Sequence, residues 1–134
     1  MKTAIDSSVL FAIFNGEKFS MEWVETLANA KSAGPLVICD VVYAEVSSGF
    51  DGVAELDEKL QRMGVVFESI NREAAFLAGK LYRAYRDGGG TRTALIPDFL
   101  IGAHAQVQAN RLAADDNGYR RKYFAKLPLL TIET

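Results

Sequence analysis

Cysteine and histidine are nearly absent from this sequence of 134 residues, which contains one of each, Cys39 and His104. One cysteine excludes an internal disulfide, and one histidine excludes an acid–base pair built from two histidines. Cys39 lies in the apolar segment LVICDVV, so we expect a small buried side chain in a reducing compartment. We expect His104 to lie on a helix face with a hydrogen-bond partner.

Long apolar runs are also missing, since no segment approaches the roughly 18 apolar residues of a membrane span. Asp6 interrupts the N-terminal stretch MKTAIDSSVLFAIF too early for a signal peptide. Hydrophobic residues make up 49% and charged residues 24%, which is ordinary for a globular protein. These features predict a single domain over residues 1–134 that is cytoplasmic and not bound to a membrane.

Positive charge is scarce in the first part of the chain and concentrated in the last. Residues 1–79 contain 6 Lys/Arg and 12 Asp/Glu, a net charge of −6, whereas residues 80–134 contain 9 and 5, a net charge of +4. This asymmetry fits a phosphate backbone along the C-terminal half, although a run of charge can also be a solvated face. We predict phosphate contacts for four arginines: Arg86, Arg92, Arg120 and Arg121.

Short apolar runs alternate with longer helical patterns along the whole chain. Strands are predicted at 3–5, 35–38, 65–70, 112–114 and 129–132. Helices are predicted at 7–14, 20–34, 41–49, 51–63, 72–86 and 97–110, with a short basic helix after Gly118. This alternation predicts an α/β fold in which helices cover both faces of a parallel sheet.

Polar residues stand where several of these helices should begin. Ser7 or Ser8 is placed to cap the first helix, Ser20 the second, Asp40 the third and Asn71 the fifth. Their side-chain oxygens can accept the unpaired N–H groups of a first turn.

A proline and a carboxylate interrupt the apolar segment ALIPDFLIGAHA at 94–105. Pro97 suits the first turn of a helix, and Asp98 would meet the positive end of the helix dipole for about 0.3–1 kcal/mol. On this interpretation Asp98 only begins a helix. A carboxylate in apolar surroundings otherwise needs an ion pair, hydrogen bonds or a metal.

Four acids lie at positions where a parallel sheet would bring them together. Asp6 follows the first strand, Glu45 lies about one turn into the helix after the second strand, Asp98 begins a helix, and Asp116 follows the fourth strand. Ligands of such sheets bind beyond the carboxyl ends of the strands. Each acid also has a simpler interpretation: Asp6 as a cap, Glu45 as a surface residue, and Asp116 or Asp115 as part of a turn.

Four carboxylates in one pocket would repel one another, and a divalent cation would remove that conflict. Two such charges about 5 Å apart cost on the order of 3 kcal/mol at an effective dielectric near 20. Oxygen ligands select Mg²⁺ or Mn²⁺ rather than Zn²⁺. Ions held in this way support phosphodiester cleavage without a histidine.

The chain resembles a PIN domain of the VapC type, the toxins of bacterial toxin–antitoxin pairs. The resemblance is carried by AIDSSVL, VVYAEV, RDGGGTRTALIPDFLIGAHA and LAADDNGYRRKYF, in this order and over essentially the whole chain. It implies a three-layer α/β/α sandwich with a central mostly parallel sheet. It also implies an Mg²⁺- or Mn²⁺-dependent endoribonuclease that acts on tRNA or another structured RNA, forms a homodimer and is inhibited by a VapB-type antitoxin.

In this family the matching metal-binding and catalytic acids are Asp6, Glu45, Asp98 and Asp116, and Ser7 or Ser8 assists the site. The fourth motif departs from the family pattern, which has Thr-Arg before its acid, because this chain has Ala114 and Asp115. We predict Asp116 as the fourth acid because it aligns with the Gly118-aromatic spacing that follows, with Asp115 as the alternative.

Two other interpretations belong to different functional classes. A two-component receiver domain would need paired acids after the first strand and an acceptor Asp after the third, where this chain has Asn71 and Arg72 beyond VVFESI. A catalytically inactive RNA-binding or scaffold module is the second alternative, and the presence of all four acids argues against it.

Overall fold

A computed structural model describes residues 1–91, 96–115 and 122–132. Five short strands form one sheet in which every neighbouring pair is parallel, in the order β3-β2-β1-β4-β5. The strands are β1 (Thr3–Ile5), β2 (Leu36–Ile38), β3 (Val65–Phe67), β4 (Arg111–Ala113) and β5 (Leu129–Leu130). The predicted parallel α/β fold is confirmed, and each strand lies at the position predicted for it, with ends that differ by up to three residues.

The helices also follow the predicted order. They are α1 (Ser7–Phe14), α2 (Ser20–Ala33), α3 (Asp40–Ser47), α4 (Val53–Arg62), α5 (Arg72–Asp87) and α6 (Ile96–Gln108). Helix α6 begins one residue before Pro97, so the proline occupies the first turn, where its missing N–H is not needed. The basic helix predicted after Gly118 lies largely outside the described residues.

The strand order reverses beside β1, which pairs with β2 on one side and with β4 on the other. Helix α6 packs against β1 and β4, while α2 packs against β2 and α4 against β3. Crossovers between parallel strands are almost always right-handed, and with this strand order that rule puts the two groups of helices on opposite faces of the sheet. All three residues of β1 and of β2 are therefore buried.

Helix capping differs from the prediction at three of four positions. Asn71 caps α5 as predicted, because its Oδ1 accepts a hydrogen bond from the N–H of Ala74 at 2.8 Å. The residue that caps α1 is Asp6 and not a serine, since the N–H of Ser8 donates to Asp6 Oδ2 at 3.2 Å. The simpler interpretation of Asp6 as a cap is therefore confirmed.

The other two predicted caps are wrong. Helix α2 begins after Phe19, whose φ is 70°, and no side chain caps it, so Ser20 is already helical. Asp40 is likewise inside α3, and its carboxylate accepts hydrogen bonds from the Ser69 hydroxyl and the Ile70 N–H instead. These bonds join residues about thirty positions apart, which a local capping rule does not anticipate.

Aromatic rings connect the two helices of one face with the segment after β4. Phe99 is fully buried, and its ring centroid lies 5.9 Å from Tyr82, 5.8 Å from Tyr85, 5.5 Å from Tyr123 and 6.1 Å from Phe124. Such ring pairs stabilise beyond the area they bury. The cluster fixes the first turn of α6 against α5.

Gly102 makes this packing possible. A Cβ atom at this position would lie 2.6 Å from the ring of Phe124, which is itself buried. We expect Gly102→Ala to destabilise the protein by about 1 kcal/mol, because overpacking by roughly 1–3 kcal/mol exceeds the helix-propensity gain of about 1 kcal/mol. Urea unfolding measures the change.

Gly79→Ala is the matched control for this substitution. Gly79 also lies within a helix, but a Cβ there would meet no atom within 4 Å. This variant should gain up to about 1 kcal/mol of stability. Equal effects of both substitutions on the urea midpoint would contradict the packing described for Gly102.

His104 of α6 and Glu68 form a partly buried polar contact. His104 is 1% exposed, and its Nε2 lies 2.9 Å from Glu68 Oε1, which confirms the predicted hydrogen bond. The ammonium of Lys2 also donates to the Glu68 carboxylate. Burial lowers the pKa of His104, although Glu68 opposes this effect. Burial alone would raise the pKa of Glu68, but the hydrogen bonds from Lys2 and His104 outweigh it and lower that pKa.

This contact predicts a loss of stability in mild acid. Because the folded pKa of His104 lies below its ordinary value of 6.5, the unfolded chain binds the proton first as the pH falls. Stability should therefore decrease from pH 6.5 downwards, and Glu68 should add a further loss below its ordinary value of 4.5. The measurement is the free energy of unfolding between pH 8 and pH 4.

His104→Gln isolates the histidine contribution, because the chain has no other histidine. We expect this variant to be less stable at pH 8 but to lose less stability between pH 6.5 and pH 5. Parallel curves for the two proteins over that interval would show that His104 is not the group responsible.

Candidate functional site

Asp6 stands where the strand order reverses. It directly follows β1, and its backbone N–H donates to the carbonyl of Ala113 in β4 at 2.9 Å. The residue is 4% exposed, and its carboxylate accepts hydrogen bonds from the N–H and the hydroxyl of Ser8. Parallel sheets bind ligands beyond the carboxyl ends of the two strands at such a reversal.

Glu45 is brought to the same edge by Ser7. The hydroxyl of Ser7 donates to Glu45 Oε1 at 2.9 Å and so joins α1 to α3. The structure therefore places Glu45 next to the residue that follows Asp6. Ser7 and Ser8, which were predicted to support the site, each bind one of the two acids.

Asp98 lies in the first turn of α6 and is partly buried. Helix α6 packs against both β1, which ends next to Asp6, and α3, which contains Glu45. This placement is favourable for a carboxylate near a helix N-terminus. The position of Asp98 is therefore compatible both with a role that only begins the helix and with a role as a metal ligand.

The fourth acid falls at the end of β4. Ala114 is buried and its N–H donates to the Leu130 carbonyl at 3.2 Å, while Asp115 is exposed. Asp116 lies outside the described residues, so the choice between Asp115 and Asp116 stays a prediction.

The donors at this edge are carboxylate and hydroxyl oxygens, which suit a hard divalent cation. Within residues 1–91, 96–115 and 122–132, no group of three or more His, Cys, Asp and Glu side chains is close enough to hold a metal ion. The ligand set therefore stays a prediction that includes a residue beyond this part of the chain.

The predicted phosphate-binding arginines are described only in part. Arg86 is exposed near the C-terminal end of α5. Arg92, Arg120 and Arg121 lie outside the described residues.

Two polar contacts near the carboxyl edge were not predicted from the sequence. Glu68 follows β3 directly, as Asp6 follows β1, and binds Lys2 and His104. Ser69 binds Asp40 at the start of α3. An acid immediately after a strand was the available signal for Glu68, but its partners come from distant parts of the chain. Both contacts join separate parts of the fold, and neither includes one of the four acids predicted for the site.

The fold is a parallel α/β sheet with acids at its strand reversal, and a family model identifies the class of protein to which it belongs. The PIN domain model matches residues 3–125. The chain belongs to the PIN domain family, and the receiver interpretation is not retained.

Solved structures of low sequence identity share the fold. A chain in VapBC2 from Rickettsia felis, bound to a DNA fragment from their promoter, has a TM-score of 0.68 at 20% identity, with 99% of this chain and 100% of that chain covered. A chain in VapBC-1 from nontypeable Haemophilus influenzae has a TM-score of 0.66 at 17% identity, with 98% of both chains covered. A chain in FitAcB from Neisseria gonorrhoeae has a TM-score of 0.62 at 14% identity, with 96% of both chains covered.

Among curated proteins, none matches this sequence. No helix within the described residues has the length and apolar character needed to cross a membrane.

Proposed function

We propose that this chain is a metal-dependent endoribonuclease of the VapC type, a toxin inhibited by a VapB-type antitoxin. The observation that carries the proposal is the pairing of Asp6 and Glu45 through Ser7 at the strand reversal of a PIN fold. The likeness to chains of VapBC complexes supports the toxin assignment. A scaffold module without catalysis would not need two oriented carboxylates at this edge.

Asp6, Glu45, Asp98 and Asp116 are the residues that would hold Mg²⁺ or Mn²⁺. When bound, such an ion supplies activation of water and stabilisation of charge on the phosphodiester oxygens. If these acids share one pocket, they would repel one another in the absence of a cation.

The described side chains orient these acids. Ser7 directs one oxygen of Glu45, while the Ser8 hydroxyl and N–H direct one oxygen of Asp6. Fixed donors of this kind lower the reorganisation needed during phosphodiester cleavage.

The substrate is held through its phosphates in this proposal. Arg86 is exposed on α5, and the preceding residue, Tyr85, packs against Phe99 in the first turn of α6. Arg92, Arg120 and Arg121 complete the proposed set. Cleavage should weaken as salt rises, because phosphate contacts release counterions.

Expression of the chain alone should arrest bacterial growth, and co-expression of the neighbouring short reading frame should relieve the arrest. We propose that the protein acts in the cytoplasm as a homodimer and that a segment of the antitoxin blocks the acidic site. Growth curves and sequencing of RNA 5′ ends after brief induction measure both effects. Unimpaired growth with abundant folded protein that still cuts RNA would contradict the toxin assignment and leave the nuclease assignment standing.

A further inference from the structure

Helix α5 differs in charge from the other helices of the described residues. It contains Arg72, Lys80, Arg83 and Arg86 against Glu73 and Asp87, a net charge of +2. With the histidine neutral, α1 is uncharged, while α2, α4 and α6 each carry −1 and α3 carries −2. In this part of the chain, α5 is therefore the helix with an excess of positive charge.

The outer face of α5 combines this charge with an exposed aromatic ring. Phe76, Lys80, Arg83 and Arg86 follow one another at separations of four, three and three residues, so they lie along one side of the helix. Phe76 is 66% exposed and the Arg83 side chain is 80% exposed. We call these four residues the α5 stripe.

The contacts within the α5 stripe suit a nucleic-acid strand. The Lys80 ammonium lies 5.3 Å from the ring centroid of Phe76, which places a cation beside an aromatic surface. Arg83 pairs with Asp87 at 3.3 Å, but exposed pairs of this kind are weak and a phosphate can compete for the guanidinium. The exposed phenyl ring beside these cations adds a surface on which a base can stack.

The α5 stripe leads away from the end of α5 that packs against the first turn of α6, the turn that contains Asp98. Tyr82 and Tyr85 of α5 pack against Phe99, the residue after Asp98, and Arg86 follows Tyr85. Phe76 lies ten residues before Arg86, about 15 Å along the helix. A strand bound along the stripe therefore extends well beyond the nucleotides at the acids.

We infer that the α5 stripe binds a single-stranded segment of the RNA substrate, with a base stacked on Phe76 and phosphates bound by Lys80 and Arg83. The inference rests on the proposed function and extends it, because it defines part of the substrate remote from the scissile bond. Stacking on an exposed ring requires an unpaired base, which favours a single strand over a duplex.

The test measures binding of a fluorescent 15-nucleotide oligouridine RNA to the full chain carrying Asp98→Asn, by anisotropy over a range of salt concentrations. We expect Lys80→Gln with Arg83→Gln to raise the Kd about tenfold. The slope of log K against log salt should fall by about 0.7 for each lost phosphate contact. Phe76→Leu should raise the Kd about fivefold with an unchanged slope, and Phe76→Tyr should restore binding.

The matched control is Lys59→Gln with Arg62→Gln on α4, where Arg62 forms the same i,i+4 pair with Glu58. The Kd of this control variant for the RNA should stay within twofold of that of the chain carrying Asp98→Asn alone. In the chain with Asp98 intact, the Lys80/Arg83 variant should raise the KM for a 15-nucleotide RNA but not for a tetranucleotide.

Unchanged RNA affinity and slope in the Lys80/Arg83 and Phe76→Leu variants would overturn the inference while leaving the nuclease assignment intact. A shift from dimer to monomer in sedimentation, with RNA affinity unchanged, would overturn it in favour of a contact with a second copy. If the unchanged chain neither binds nor cuts RNA, both the proposed function and the inference about the α5 stripe are wrong.

Discussion

Asp98→Asn should reduce the rate of RNA cleavage by several orders of magnitude without unfolding the protein. Asparagine keeps the size of the side chain and an oxygen near the first turn of α6, but it removes one negative charge. If Asp98 only begins the helix, Asp98→Asn should lower the free energy of unfolding by at most about 1 kcal/mol, and cleavage activity should remain. As a metal ligand, it is required for the reaction itself.

The same variant separates the two roles through its stability. Removing a charge from a group of acids should leave the metal-free protein equally or more stable. Mg²⁺ stabilises the unchanged chain by RT ln(1 + [L]/Kd), and this effect should be largely lost in Asp98→Asn. Thermal melts with and without Mg²⁺, alongside a cleavage assay, measure both quantities.

Glu22→Gln provides the matched control, because Glu22 is also an acid in the first turn of a helix. It should cost a similar small amount of stability and leave the Mg²⁺ response and cleavage unchanged. An Asp98→Asn protein that is less stable, still stabilised by Mg²⁺ and still active would leave Asp98 only as a helix-start residue.

Asp6 is expected to show the second large effect, since it has both a capping role and a proposed role as ligand. Asp6→Asn preserves the cap of α1, because asparagine and aspartate cap helices about equally well. We expect stability within about 1 kcal/mol of the unchanged chain but cleavage reduced by several orders of magnitude. Unfolding in urea and a cleavage assay on the same preparation separate the two roles.

Asn71→Ala supplies the corresponding control at a cap distant from the acids. Asn71 caps α5 through the N–H of Ala74, and its loss should cost about 0.5–2 kcal/mol. Cleavage by this variant should be normal at temperatures where it is folded. Normal cleavage by Asp6→Asn would restrict Asp6 to capping and would remove it from the proposed ligand set.

Much of the fold could be predicted because its signals are local. The apolar run at Thr3–Ile5 and the acid that follows it are adjacent in sequence, and the alternation of strands and helices implies a parallel sheet. Asn71 was predicted correctly as a cap because its partner is three residues away. The edge at which Asp6 and Glu45 lie followed from the same alternation.

The contacts that could not be predicted join distant residues or depend on backbone conformation. Asp40 binds Ser69 and Ile70 rather than its own helix, and Glu68 binds Lys2 and His104 from opposite ends of the chain. Ser20 fails as a cap because the left-handed Phe19 already precedes the first turn. The Ser7 to Glu45 hydrogen bond spans 38 residues and follows only from the fold.

We propose that the acids at the strand reversal hold a divalent cation that RNA cleavage requires. The most direct measurement is the rate at which the purified full chain cuts a labelled RNA as free Mg²⁺ is varied, with chelator at one limit. We expect no cleavage in chelator, a saturable increase with Mg²⁺, and restoration by Mn²⁺. Cleavage at the same rate in excess chelator would contradict the account.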